Sequence, residues 1–295
     1  MRPYLAILVV LVGTALVPVL AENPLKNKTD ALNIHTSVKS VPEHILRNGI
    51  SNTNICGGVL TASSGTISYK NAAYIAANER CIWIIKPNSA TGFTLNVATM
   101  GLQVQAGQTG ITATCFYRRG FTAFSSVGIS RVGTVSVPST CHSLVITFYS
   151  GPSSYYSRGF SMSYTTRTGT SGASAGSKYY LLSSSQQQIR HPANADLEYS
   201  NNELTMFGFG PASNLYSSAR KTLVTYMRDT IGGSCAERIH MYRFTPANGW
   251  ASVSALCSDV EFKQWEDSEI MLVTFTSDGS GLGRGFHVIR TNLPL

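Results

Sequence analysis

The chain has 295 residues, of which 43% are apolar and 13% charged, with a formal net charge of +8. That much apolar content with so little charge excludes a disordered chain, which lacks the buried surface to offset its conformational entropy. It fits folded domains whose outer faces are dressed in Ser, Thr and Gly.

Met1-Arg2 is a short basic start, residues 5–20 form an apolar run broken by Gly13, Thr14 and Pro18, and Ala21 ends it with a small side chain. This pattern predicts a signal peptide over residues 1–21 and a secreted, extracellular protein, since nothing downstream is long and apolar enough to span a bilayer. Export makes Asn27-Lys28-Thr29 a usable glycosylation sequon at Asn27. The N-terminal segment 22–55 carries Lys26, Lys28, Lys39 and Arg47 with few strand signals, and a partly helical lead-in around residues 41–47 or a loose arm both fit it.

Further on the chain repeats itself. Leu144-Val-Ile-Thr-Phe-Tyr-Ser-Gly151 followed by Arg158-Gly-Phe160 returns as Met271-Leu-Val-Thr-Phe-Thr-Ser-Asp278 followed by Arg284-Gly-Phe286. One small domain is used twice. Phe93, Leu95 and Val97 alternate with polar or small residues, as do Phe160, Met162 and Tyr164, which is the period of a half-buried strand. Short strands between Gly, Ser, Asn and Pro clusters predict an all-β protein of two antiparallel sandwiches. Residues 166–177, rich in Gly, Ser, Thr and Ala, read as a flexible linker.

Cys56, Cys81, Cys115, Cys141, Cys235 and Cys257 make an even set in an oxidising compartment. Cys115 and Cys141 precede the first copy of the repeated motif as Cys235 and Cys257 precede the second. The repeat therefore predicts the pairs Cys115–Cys141, Cys235–Cys257 and Cys56–Cys81, each worth roughly 3 kcal/mol by loop entropy. No closely spaced Cys/His quartet offers a zinc site.

Cys56-Gly-Gly-Val-Leu60, Gly65-Thr-Ile67, Tyr74, Cys81-Ile-Trp83, Cys115, Cys141, Gly159-Phe160 and Tyr164 together resemble the CUB domain over residues 56–165. The resemblance implies two jelly-roll-like β-sandwiches in tandem, extracellular, non-catalytic, and used for protein or carbohydrate recognition. The second copy, residues 178–291, is diverged. Tyr199-Ser-Asn-Asn-Glu203 aligns with Tyr74-Ile-Ala-Ala-Asn-Glu79, placing Thr205 where Cys81 stands and Phe207 where Trp83 stands, so the first disulfide is missing there. Many CUB domains carry a calcium site of acidic residues. On that pattern Arg118 replaces the central Asp and Ser150-Gly151 the Ser-Asp pair, while the second copy keeps Asp229, Glu237 and Ser277-Asp278 beside Arg238. A cationic side chain among the ligands opposes a hard cation, and no metal or other cofactor is expected.

Charge is uneven. Residues 56–165 carry Lys70, Arg80, Lys86, Arg118, Arg119, Arg131 and Arg158 against the single acid Glu79, a balance of +6, whereas residues 178–291 carry ten basic and eleven acidic side chains, hence −1. A basic extracellular module attracts acidic glycans or glycoproteins rather than nucleic acid, or the cations simply keep it soluble. Tyr117, Arg118, Arg119 and Arg131 are the expected ligand-binding residues, because a guanidinium fork holds sulfate or carboxylate bidentately. The six histidines occur singly, and no Gly-x-Ser-x-Gly elbow or zinc-protease helix is present, so no catalytic residue is expected. Asp278-Gly-Ser-Gly281 reads as a glycine-rich surface loop, since the other copy has no matching Ser-Gly. Two functions fit: a recognition protein for an extracellular glycan or glycoprotein, polyanionic ones included, or an accessory module for a separate secreted enzyme such as a protease. Either permits a dimer.

Overall fold

The computed structural model describes residues 50–117, 124–153, 156–169, 177–182, 187–194, 196–211, 221–230, 237–256, 262–266, 270–280 and 283–293. All the described residues belong to one compact unit. Among the described residues there is no helix, and hence none long and apolar enough to cross a membrane.

Among the described residues nineteen strands follow one another. The first ten are β1 (Ile50–Thr53), β2 (Gly58–Leu60), β3 (Ser64–Tyr74), β4 (Arg80–Ile85), β5 (Ala90–Met100), β6 (Gly110–Phe116), β7 (Phe124–Ile129), β8 (Gly133–Val135), β9 (Ser143–Tyr149) and β10 (Arg158–Thr168). They build sheet I, in the order β1-β3-β10-β5-β8, and sheet II, in the order β2-β4-β9-β6-β7. The other nine are β11 (Lys178–Leu182), β12 (Gln187–His191), β13 (Leu204–Pro211), β14 (Lys221–Thr230), β15 (Arg238–Thr245), β16 (Gly249–Leu256), β17 (Phe262–Glu266), β18 (Ile270–Thr276) and β19 (Gly285–Leu293). They build sheet III, β11-β13-β18-β15-β16, and sheet IV, β12-β19-β14-β17.

Sheet III repeats sheet II strand for strand, including its one parallel pair, β11 with β13 as β2 with β4. Sheet IV repeats the last four strands of sheet I. The repeated sequence motifs are the central strands β9 and β18 and their partners across the sandwich, β10 and β19. The sheets are antiparallel apart from the edge pairs β1–β3, β2–β4 and β11–β13. Strands 1 to 4 alternate between the two sheets, so the next strand to return to the same sheet has reversed twice and runs parallel to the first.

Each sandwich has its own core. Tyr69, Trp83, Phe148 and Phe160 fill the first, with ring centroids 5.5–6.3 Å apart. In the second, His191, Phe207, Phe275 and Phe286 stand in those places, 5.4–5.8 Å apart. Cys56–Cys81 and Cys115–Cys141 are bonded, as the repeat predicts; Cys235 and Cys257 lie outside the described residues.

A third core joins the two sandwiches into a four-layer stack. Ile82, Ile84, Phe116, Val145 and Tyr149 of sheet II meet Leu204, Met206, Tyr242, Phe244, Trp250 and Leu272 of the second half. Hence β4, β9 and β18 are buried at every position, because both of their faces are covered. The joint is close-fitting: a Cβ on Gly208 would lie 2.9 Å from Ile84, and one on Gly57 would lie 2.6 Å from the Tyr179 hydroxyl. Trp250 Nε1 donates to Thr147 Oγ1 at 3.0 Å across it. The ends of the segment expected to be a flexible linker are structured: β10 runs to Thr168, and buried Ser177 accepts the Met206 N–H at 3.1 Å.

His240 on β15 shares the face of Tyr242 and stacks on it, with 6.0 Å between centroids. It is 1% exposed, and burial first, then Arg238, depress its pKa to about 4. Between the unfolded value near 6.5 and this lowered one, the unfolded chain holds a proton that the folded chain lacks. Stability is therefore fully present above about pH 6.5 and falls as pH drops toward 4, by on the order of 3 kcal/mol. In urea titrations from pH 7 to 4, His240→Phe is expected to lose less stability than wild type; equal slopes would contradict this.

Candidate functional site

At one end of each sandwich the chain is fastened by the same device. Ser150, at the end of β9, accepts the Glu79 N–H at 2.8 Å and donates to the Ala76 carbonyl at 2.6 Å. Ser277, at the end of β18, accepts the Glu203 N–H at 2.8 Å and donates to the Ser200 carbonyl at 2.6 Å. Both glutamates are buried, Glu79 paired with Lys70 and Glu203 with His191 and the Thr205 hydroxyl. Burial first, and the Glu79 carboxylate next, push the Tyr69 hydroxyl pKa well above the ordinary tyrosine value. Asn78 and Asn202 take the same left-handed conformation, φ 58°, one residue before each glutamate. These carboxylates are spent on the fold, and a serine whose hydroxyl is committed on both sides has no base to activate it.

Around the first of these clamps the surface changes character. Tyr156 is 87% exposed and Tyr74 60%, with the Arg158 guanidinium over the Tyr74 ring at 6.0 Å. Val104 and Val132 are exposed at the same end, beyond β5 and before β8. A cavity of about 270 Å³ opens beside them, lined by Gln103, Val104, Gln105, Gln108, Thr109, Gly151, Ser153 and Ser157. Its wall is ordered from within: Gln108 and Thr109 donate backbone N–H bonds to the Gln105 carbonyl, Thr109 Oγ1 accepts the Gly151 N–H at 3.0 Å, and Ser157 Oγ accepts the Gln103 N–H at 3.3 Å. The lining holds amides and hydroxyls with no ionisable group. Among the described residues no group of three His, Cys, Asp or Glu is placed to hold a metal ion.

The expected ligand residues are distributed differently. Tyr117 follows β6 at its Phe116↔Phe124 end and packs against the first core, whereas Arg131 follows β7 near the Ile111↔Ile129 end and is exposed. The two stand at opposite ends of the β6–β7 pair, roughly 20 Å apart along the strand. Arg118, Arg119 and Asn27 lie outside the described residues. The calcium-type alignment is also displaced. Gly110 pairs with Tyr149, so the start of β6, not the stretch after Cys115, lies beside Ser150 and Gly151. Arg238 pairs with Thr276 and so corresponds to Gly110, not to Arg118. The basic surface is smaller than composition suggests: Arg80 and Lys86 are buried, Arg80 donating to the Glu79 and Ser150 carbonyls, and Lys70 is paired with Glu79. The cavity residues were missed because uncharged amides and serines carry no spacing signature. Exposed Tyr156, two residues before Arg158, was the available hint.

No family model matches the sequence, and no curated protein matches it. Solved structures similar to it include the CUB1-EGF-CUB2 domain of human MASP-1/3, at 12% identity and TM-score 0.29 over 78% of this chain and all of that one. The CUB1-EGF-CUB2 domains of rat MASP-1 give 12% identity and TM-score 0.31 over 82% of this chain and all of that one. The full extracellular region of zebrafish Gpr126/Adgrg6 gives 14% identity and TM-score 0.30 over 80% of this chain and 36% of that one. At such scores the architecture rests on the sheet topology itself.

Proposed function

We propose that this chain is a secreted, non-catalytic recognition protein, with modules over residues 56–165 and 178–291, that holds an extracellular glycan or glycoprotein at the Tyr74–Tyr156 end of its first sandwich. The observation that carries this reading is the presence of exposed Tyr74, Val104, Val132 and Tyr156 at the same end of the first sandwich as an uncharged polar cavity. Exposed rings beside a few fixed hydrogen-bonding groups are the composition of a binding patch, since an amphipathic ring adds contact area at little entropic cost. The rigid joint between the sandwiches supports it, because a preorganised surface loses less freedom on binding.

Tyr156→Ala and Tyr74→Ala are each expected to weaken retention about tenfold on an immobilised glycan array or on glycoproteins drawn from the native secretion, a change of about 1.4 kcal/mol. Thermal unfolding should stay close to wild type, as both rings are exposed. Retention unchanged in both variants would refute this site.

A further inference from the structure

We infer that the recognition end is composite, the β15–β16 turn of the second sandwich forming one of its walls, and that it takes an uncharged oligosaccharide long enough to touch both sandwiches. This rests on the function proposed above and names the ligand class for the same site.

The packing of the halves carries the first part. Ile84 of β4 lies against Gly208 of β13, and these residues correspond to each other in the two copies, as Trp83 and Phe207 do. Contact between equivalent positions is the mark of a two-fold, self-complementary interface. The axis reverses the strands, so the cavity end of the first sandwich lies beside the far end of the second. Tyr149, at the cavity end of β9, packs its ring 5.4 Å from Phe244, at the far end of β15. Gly107, at the tip of the turn that carries Gln105 and Gln108, approaches the Ala247 backbone, with a Cβ there only 4.0 Å from Ala247 Cα. The β15–β16 turn is well defined: Thr245 pairs with Gly249, which adopts φ 67°, and Asn248 donates its N–H to Thr245 Oγ1 at 3.3 Å. Asn248 itself is exposed beside the exposed Ala247.

Chemistry and size carry the rest. Apart from Val104 the cavity offers amides, hydroxyls and backbone, and the turn adds another amide, Asn248. Hydroxyl groups of a neutral sugar match such donors and acceptors, and exposed tyrosine rings match its apolar faces. A polyanion would want cations in the cavity itself, but Lys70, Arg80 and Lys86 are taken up inside the fold, Arg158 lies over the Tyr74 ring, and exposed Arg131 at this end is not part of the lining. At about 270 Å³ the cavity is smaller than the 300–1,000 Å³ of pockets that enclose a whole small ligand, so it holds part of a longer one whose remainder crosses the flanking surface.

The full chain is to be tested on an array of neutral and sulfated oligosaccharides of graded length at two salt concentrations. The expected result is retention on longer neutral glycans, little affected by salt, with Asn248→Ala weakening the longer ones at least fivefold and leaving the shorter ones unchanged. Tyr156→Ala should weaken both lengths. Loss with Tyr156→Ala but none with Asn248→Ala would overturn the composite wall while the proposed function stands. Salt-sensitive retention on sulfated glycans alone would overturn the neutral ligand class. No retention on any glycan would overturn this inference, while loss of glycoprotein binding by Tyr156→Ala would still support the recognition function.

Discussion

Ile84→Asp is expected to cost the protein about 4 kcal/mol or more. Ile84 is fully buried, at the centre of the joint, against Gly208 and among the apolar side chains of sheets II and III. An unpaired carboxylate there has no partner to offset its lost hydration, and breaking such an environment costs several kcal/mol. Domains of this kind are stable by only about 5–15 kcal/mol, so the variant should unfold at far lower urea or express as aggregate. Ile84→Val, which keeps the surface apolar and removes one methylene, should cost about 1 kcal/mol. Urea midpoints for the two variants decide the matter: an aspartate variant within 1 kcal/mol of wild type would mean that the two sandwiches do not share this core.

The second large effect belongs to the repeated Arg-Gly-Phe motif. Gly159→Ala and Gly285→Ala should each lose at least about 3 kcal/mol. A Cβ on Gly159 would stand 1.8 Å from the Tyr69 carbonyl oxygen, and one on Gly285 1.8 Å from the His191 carbonyl oxygen. Both obstacles are backbone of the adjacent strand, which cannot retreat without breaking the β3–β10 or β12–β19 ladder. Gly285 also sits at φ 80°, a conformation that favours glycine. Gly128→Ala is the control, since nothing lies within 4 Å of the position its Cβ would take; its unfolding should shift little. Equal tolerance at all three positions would show that close strand approach is not what the motif preserves.

The repeat was legible in the chain because the positions that recur are those where packing leaves least choice. Phe148 and Phe275, Phe160 and Phe286, Ser150 and Ser277, and the two glycines each meet the same neighbours in both sandwiches. The first two cystine pairs were legible from the even count of cysteines and their order along the chain. The alternation over 93–97 and 160–164 marked strands with one covered face. The run Cys81-Ile-Trp-Ile-Ile85 and the run Leu144-Val-Ile-Thr-Phe-Tyr149, broken only by Thr147, carried a further message: a strand apolar at nearly every position has both faces buried. They are the trace of the third core.

Which residues stand together at the cavity end of the first sandwich was decided by the fold. Cys115 lies inside β6 whereas Cys235 precedes β15, so counting from cysteines placed Arg118 and Arg238 in one position when strand register puts Arg238 opposite Thr276 and Tyr117 at the other end of its sheet. A register is fixed by hydrogen bonds to a strand dozens of residues away, and no local pattern reports it. Charge behaves likewise: seven cations can be counted in the chain, but burial of Arg80 and Lys86 and the pairing of Lys70 depend on which carbonyls and carboxylates come to meet them. The sequence by itself therefore determined strands, staples and duplication, which follow from side-chain period and identity. Only the tertiary structure decided the four-layer stack, the reversed setting of its halves and the uncharged cavity that brings Gln103 and Gln108 beside Gly151 and Ser157, because these arise from contacts between segments far apart in the chain.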